Sequence, residues 1–294
     1  MIPPSFEYSS PRSIPEAISL LKQAGENAKI LAGGQSLIPL MKLRLGMPTL
    51  LIDINKIPGL EYIRESNGYL RIGALTRMAD VESSDLVKKK YPIIHDAAGE
   101  IADPLVRNLG TAGGNISHGD PANDLPAVML ALGAEFFENG PTGDRTIKAE
   151  DFFVDTFTTA LKQDEILTEI RVPMPAPRSG GAYLKLEKRV GDFAIAGAAV
   201  QLTLNSRGEC EKLGIGLTAV GPTAIRAKKA EEALKGKKLT DEGAVKKVGD
   251  LAAEAASPTS DLRGPAEYKT KMVKVLTIRA LKRAHQHAQI GGGQ

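Results

Sequence analysis

The residues best suited to holding a ligand are concentrated in Asn108-Leu-Gly-Thr-Ala-Gly-Gly-Asn-Ile-Ser-His-Gly-Asp-Pro-Ala-Asn-Asp124. Gly110, Gly113, Gly114 and Gly119 let a backbone turn tightly and come close to a bound group, where a side chain would collide. Successive free N–H groups in such a turn form an anion-binding concavity. Thr111, Asn115, Ser117 and Asn123 add neutral hydrogen-bonding groups. This loop is expected to hold the phosphates and ribose of a large cofactor. Asp120 and Asp124 have two open roles: capping, with Asp124 opening a helix, or accepting from a ribose hydroxyl.

A second candidate is Gly33-Gly-Gln-Ser36, which joins an expected strand, Ala28–Ala32, to an expected helix, Leu37–Leu45, capped by Ser36. A strand, a Gly-Gly turn and a helix N-terminus can receive a phosphate. The alternative is a plain tight turn. The pattern is neither G-x-G-x-x-G nor G-x-x-x-x-G-K-[ST].

Reactive side chains are few. The 4 histidines, His95, His118, His285 and His287, show no metal-ligand spacing. His118 adjoins the glycine stretch and is a minor ligand-contact candidate. His285 and His287 are read as charges at a helix C-terminus. The single cysteine, Cys210, opens an expected strand and is read as structural; one cysteine excludes an internal disulfide and a Cys-ligated iron–sulfur cluster held by this chain alone. Two glycine turns with almost no reactive side chains fit a protein whose chemistry belongs to a bound cofactor.

The chain of 294 residues is long enough for one large or two ordinary domains. With 25% charged and 42% hydrophobic residues it has globular composition, and a net charge of +3 gives no reason to expect nucleic acid. The start lacks a basic segment followed by an apolar run, so no signal peptide is expected, and no run suits a membrane span. A cytoplasmic protein is expected.

Along the chain, Phe6–Ser9 is an expected edge strand. Ser13-Ile-Pro-Glu16 opens a helix that Gly25 closes, and Thr49–Ile54 completes a βαβ-type unit. Tyr69–Gly73 is a strand, Thr76–Ser83 a helix, Lys88–Lys90 a solvated face and Tyr91–Ile101 a buried helix. Leu125–Ala134 is a helix; Ala134–Phe137, Thr146–Lys148 and Asp164–Val172 are strands. The Pro/Gly-rich segment Pro173–Gly181 is the domain boundary. Strands at Ala182–Arg189, Ala194–Leu204 and Cys210–Val220, with a turn at Asn205–Gly208, precede helices at Arg226–Leu234, Asp241–Ala256 and Pro265–Ala288. The Gly291–Gln294 tail is expected to be disordered.

Ala32-Gly-Gly-Gln-Ser-Leu37, Thr111-Ala-Gly-Gly-Asn115 and Gly119-Asp-Pro-Ala-Asn-Asp-Leu-Pro126 together resemble the FAD-binding medium subunit of molybdenum hydroxylases. That family includes aerobic carbon monoxide dehydrogenase, xanthine dehydrogenase and aldehyde-oxidising enzymes, and the carbon monoxide type is the preferred subgroup. The resemblance covers nearly the whole chain, through Glu165-Ile-Leu167, Lys185, Gly191-Asp-Phe193 and Asp261–Tyr268.

It implies an α+β protein: an FAD-binding domain of the vanillyl-alcohol oxidase/cell-wall reductase (PCMH) type at 1–177, with subdomains at about 1–55 and 56–177. A smaller α+β domain with a three-stranded antiparallel sheet would occupy 178–288, leaving a tail at 289–294. By carry-over, Leu31, Ala32, Gly33, Gly34, Gln35, Ser36, Leu37 and Ile38 would wrap the pyrophosphate. Thr111, Ala112, Gly113, Gly114 and Asn115 would form the second loop, with Ser117, Gly119, Asp120, Asn123 and Asp124 beside it. Ile101 and Ala102 would line the cofactor, and Leu167 and Lys185 would lie near the flavin. Gln35 stands where some relatives have His. Phe193 stands where some have Tyr, and it either covers the flavin or belongs to the core of the C-terminal sheet.

The resemblance further implies electron relay without a catalytic acid or base here. A large subunit with a molybdenum cofactor would oxidise substrate, and a small subunit with 2Fe-2S clusters would carry electrons to the FAD of this chain. The acceptor would be quinone, NAD or oxygen. The assembly would be a dimer of heterotrimers, in the cytoplasm or at the inner face of the membrane through an acceptor partner. Alternatives are the same subunit in an aldehyde or N-heterocycle/purine hydroxylase, a stand-alone FAD oxidoreductase and a non-catalytic assembly protein.

Overall fold

The computed structural model describes residues 2–290, so the tail read at Gly291–Gln294 lies outside it. β1 (Glu7–Ser9) is followed by α1 (Ile14–Ala24), whose N-terminus is fixed as its sequence demands. The Ser13 hydroxyl accepts from the Glu16 N–H, proline occupies the first turn and Gly25 caps the end. The Glu16 carboxylate reaches back to the Arg12 N–H at 2.9 Å, one residue beyond the N-cap Ser13 that a capping box would engage. β2 (Ala28–Leu31), α2 (Leu37–Lys42) and β3 (Leu50–Asp53) complete the expected βαβ unit. The strands lie parallel in the order β1-β3-β2, which makes β1 an edge. α2 ends earlier than expected, and Ser36 does not cap it: its backbone lies in the helical region and its hydroxyl makes no capping bond.

β4 (Ile63–Ser66) and β5 (Tyr69–Gly73) form a hairpin. Six helices follow: α3 (Met78–Ser83), α4 (Asp85–Lys90), α5 (Pro92–Glu100), α6 (Pro104–Leu109), α7 (Ala112–His118) and α8 (Asp124–Leu132). β6 (Glu135–Gly140), β7 (Gly143–Lys148), α9 (Ala149–Phe152), β8 (Phe153–Asp155), β9 (Thr158–Thr159) and β10 (Ile166–Pro173) complete this part. Its antiparallel sheet has the order β4-β5-β10-β6-β7. β10 is central, and Leu167, Ile170 and Val172 join Leu70, Ile72 and Phe136 in the core beneath the helices.

The stretch expected to be a glycine loop contains a helix. Thr111 caps α7 through the Gly114 N–H, and Gly119, left-handed at φ 64°, ends it. This cap and the surrounding chain outweigh the poor helix propensity of the Gly113–Gly114 pair.

Beyond Met174–Arg178, β11 (Ser179–Leu186), β12 (Ala196–Leu204) and β13 (Cys210–Thr218) form the expected antiparallel sheet. β14 (Ile225–Arg226) adds a fourth strand, where three were expected. Two residues are too few to show alternation in the sequence. α10 (Lys228–Leu234), α11 (Glu242–Ala255) and α12 (Ala266–Ile290) close the chain. The buried residues of this core all come from Ala182 onward. His287 does more than supply terminal charge, because its Nδ1 lies 2.7 Å from the Gly181 carbonyl and ties α12 to β11.

α8 is buried on almost every side, between the central sheet and β13. β-Carbons at Gly214 and Gly216 would lie 1.9 Å from the carbonyl oxygens of Ala131 and Ala127, so only glycine permits this approach. No helix among the described residues is long and apolar enough to cross a membrane.

Candidate functional site

β2 ends at the turn Ala32–Ser36, and α6 ends at Gly110, and these two places meet. A β-carbon on Gly33 would lie 2.1 Å from the Leu109 carbonyl oxygen and 2.8 Å from the Gly110 Cα. Two side chains brace the junction. Asn55 donates to the Ala32 carbonyl at 2.9 Å. Arg77 donates to Asn55 Oδ1 at 2.9 Å and to the Leu109 carbonyl at 3.3 Å. Sequence reasoning missed both, since single polar residues outside any motif gave no signal.

A cavity of about 1170 Å³ opens beside this junction. Its walls include Ala32, Gly33, Gly34, Gln35, Ser36 and Leu37 from the first turn. Thr111, Gly113, Gly114, Asn115, Ser117, Asn123 and Asp124 line it from the second stretch, with Ile101, Ala102, Leu167 and Phe193 completing the far side. Most of the sequence-expected residues are therefore gathered around one space.

Six expected residues do not line the cavity. Leu31 belongs to β2, and Ile38 packs back on Gly34. Ala112 is buried. Gly119 packs against Phe157–Thr159. Asp120 caps its own turn, accepting from the Ala122 N–H at 2.8 Å. Lys185 lies behind the wall, its side chain 0% exposed.

The two turns offer different chemistry. The expected row of free N–H groups is absent from the second. Ala112 and Gly113 donate to the carbonyls of Thr76 and Ala74, and Gly114 donates to the Thr111 hydroxyl. In the first turn, the N–H groups of Gly34, Gln35, Ser36 and Leu37 donate to no group among the described residues. Free donors on a cavity wall suit an anion. Asn123 donates through Nδ2 to the Asn115 carbonyl at 2.8 Å. The Asn115 Oδ1 is buried without a partner, which leaves an acceptor for a ligand donor.

Asp124 is not the helix cap, since Asn123 holds that position. The Asp124 carboxylate accepts from the Tyr183 hydroxyl at 2.5 Å and lies 3.5 Å from the Lys185 ammonium. Burial pushes its carboxyl up to about 6, against the pull of that ammonium and the tyrosine hydrogen bond. Phe193 is 47% exposed on the cavity wall, not a core residue of the C-terminal sheet. The Arg263 guanidinium lies 5.5 Å from its ring centre.

His118 also lines the cavity, its ring centre 5.1 Å from that of Phe157. Burial lowers its pKa, which favours neutral imidazole. Phe157, Thr158, Thr159 and Lys162 complete a wall that the sequence reading passed over. A run of hydroxyl residues just before a strand was the available signal.

These residues fit FAD. The first turn supplies open donors for a diphosphate, and Asn115 supplies an unpaired acceptor. Ile101, Leu167 and Phe193 supply apolar surface for an aromatic ring.

The comparisons agree. A family described as "FAD binding domain in molybdopterin dehydrogenase" matches residues 4–175, and "CO dehydrogenase flavoprotein C-terminal domain" matches residues 181–284. The carbon monoxide dehydrogenase medium chain of Hydrogenophaga pseudoflava is 48% identical, over 97% of this chain and 98% of its own. The glyceraldehyde dehydrogenase medium chain of Sulfolobus acidocaldarius is 40% identical, over 96% and 99%. A solved carbon monoxide dehydrogenase from Hydrogenophaga pseudoflava superposes with a TM-score of 0.95 at 49% identity, over 98% of this chain and 99% of that one. The chain belongs to the family of FAD-binding subunits of the molybdopterin dehydrogenases.

Proposed function

We propose that this chain is the FAD-carrying electron-transfer subunit of a molybdenum hydroxylase of the carbon monoxide dehydrogenase type. The observation that carries this reading is the single space into which both glycine stretches and the apolar residues Ile101, Leu167 and Phe193 converge. Bound FAD would supply the redox chemistry, accepting electrons and handing them to an external acceptor.

The protein's part is to bind and orient. The N–H groups of Gly34 to Leu37 receive the diphosphate. Thr111 and Asn123 hold the wall that carries Gly114, Asn115 and Ser117. Asp124 accepts hydrogen bonds at the cavity edge, and Ile101, Ala102 and Leu167 exclude water from the ring. Phe193 covers the ring from the C-terminal part. No side chain has to act as acid or base.

The division into an FAD-binding domain at 1–177 and a C-terminal domain at 178–288 follows this assignment. With one cysteine in the chain, cysteine-ligated clusters must lie elsewhere. The partners in this reading are a large molybdenum subunit and a small iron–sulfur subunit, in a dimer of heterotrimers in the cytoplasm or at the inner face of the membrane. Likeness to the glyceraldehyde dehydrogenase chain makes an aldehyde-oxidising complex the second reading.

The test is to purify the chain with its partners, record the flavin spectrum, and assay carbon monoxide and aldehydes as electron donors. Flavin with carbon monoxide turnover supports the proposal. Flavin with aldehyde turnover alone moves it to the second reading. A flavin-free complex overturns it.

A further inference from the structure

The carbonyls of Glu100, Ile101 and Ala102 follow one another, and each accepts from a cation. Arg107, on α6, donates from Nη1 to the Ile101 carbonyl at 3.0 Å and to that of Ala102 at 3.3 Å. Lys185, on β11, donates to the Glu100 carbonyl at 2.5 Å and to that of Asp192 at 3.2 Å. Both cations are held from behind. Arg107 pairs with Glu82 at 2.6 Å, while Lys185 lies 3.5 Å from Asp124 and 3.3 Å from Glu187.

The turn so held is unusual. Ala102 is left-handed at φ 46°. A residue with a β-carbon is strained there, so the conformation persists only where its surroundings impose it. Two charge-assisted clamps do so, one from each side of the domain junction. Gly191 rests on the same place: a β-carbon there would lie 3.0 Å from the Ala102 carbonyl oxygen. Ile101, Ala102, Gly191, Asp192 and Phe193 all line the cavity, whereas neither clamping cation does.

We propose that Arg107 and Lys185 are positioning residues for the cofactor, gripping the Glu100–Ala102 turn and the Gly191–Phe193 loop so that both face the flavin. This rests on the FAD reading above. It assigns Lys185 a role through main-chain carbonyls in place of the flavin contact that the family resemblance implies. It also gives a function to Arg107, which no motif marked. Clamped this way, the wall from the FAD-binding part and the wall from the C-terminal sheet move together.

The test uses the intact complex carrying Arg107→Met, Arg107→Lys or Lys185→Met. FAD affinity, flavin midpoint potential and Tm are measured for each. Loss of a buried charge-assisted bond should weaken FAD binding by about tenfold or more in both methionine variants. The potential should move with it, because removing a nearby positive charge disfavours reduced flavin. Arg107→Lys keeps the charge and one carbonyl contact, and should recover part of both. Lower Tm with wild-type affinity and potential in the methionine variants would overturn the proposal, because that is the signature of a merely structural role. A wild-type complex without FAD would instead defeat the functional reading beneath it.

Discussion

A β-carbon on Gly33 would lie 2.1 Å from the carbonyl oxygen of Leu109, so at this point the two halves of the site meet backbone to backbone. The contact is main chain to main chain, and no rotamer change relieves it. Gly33→Ala should therefore cost about 1–3 kcal/mol of stability, as overpacking does, and lower FAD content. Gly46→Ala is the control, since a β-carbon there meets nothing nearer than Leu40 at 4.0 Å. Thermal unfolding and flavin absorbance of the two variants check the difference.

The neighbouring glycines of α7 should rank in a definite order. A β-carbon at Gly113 would meet Ala74 Cβ at 2.6 Å and its carbonyl oxygen at 2.8 Å, both fixed. At Gly114 it would meet the Thr111 hydroxyl at 2.7 Å, which can rotate away at the expense of the helix cap. Gly113→Ala should thus be more damaging than Gly114→Ala, which should cost about 1 kcal/mol, the usual value of a lost cap. Gly114→Val should lower FAD content sharply in a subunit that still folds. Denaturant melts and flavin content measure both.

The outline of the fold was legible because its signals are local. Ser13, Pro15 and Gly25 bound α1, and hydrophobic runs mark β2, β5, β10 and the C-terminal strands. The first turn was legible for the same reason. The second was misread in conformation though not in place, because whether Gly113 and Gly114 form a helix or a loop depends on Thr76 and Ala74, distant in sequence. Asn55, Arg77 and Arg107 act through bonds to remote carbonyls, and no spacing announces such bonds. Asp124 looked like a cap because it opens a helix, and its partner Tyr183 comes from β11, far along the chain.

Two buried acids contribute stability that is lost as pH rises. Glu138 is 0% exposed, and burial pushes its carboxyl up to about 7 despite Arg145 at 3.2 Å. Neither of its oxygens has an aligned hydrogen bond. The folded state holds this proton where the unfolded chain has released it, so the contribution of Glu138 to stability falls as pH rises from about 4.5 to 7 and is then level. Asp124 adds a fall in the same direction between 3.8 and about 6. Glu138→Gln should flatten the upper part of the curve and raise Tm at pH 8 by about 2–4 °C per kcal/mol recovered. Melting curves across this range, with and without the substitution, decide it.

Cys210 should be chemically silent. It is buried at the start of β13, and burial pushes its thiol up to about 11. Thiolate is the reactive form, so a disulfide reagent at pH 8 should label the native chain hundreds of times more slowly than the unfolded one. Equal rates would place Cys210 outside the core.

The central claim is that FAD occupies the space between the Gly33 turn and α7. The most direct measurement is the flavin content per chain in the purified complex, for the wild type and for Gly33→Val. One FAD per chain in the wild type is expected. Its loss is expected in Gly33→Val, with the partner subunits still attached. A flavin-free wild type, or full occupancy in Gly33→Val, would contradict the account.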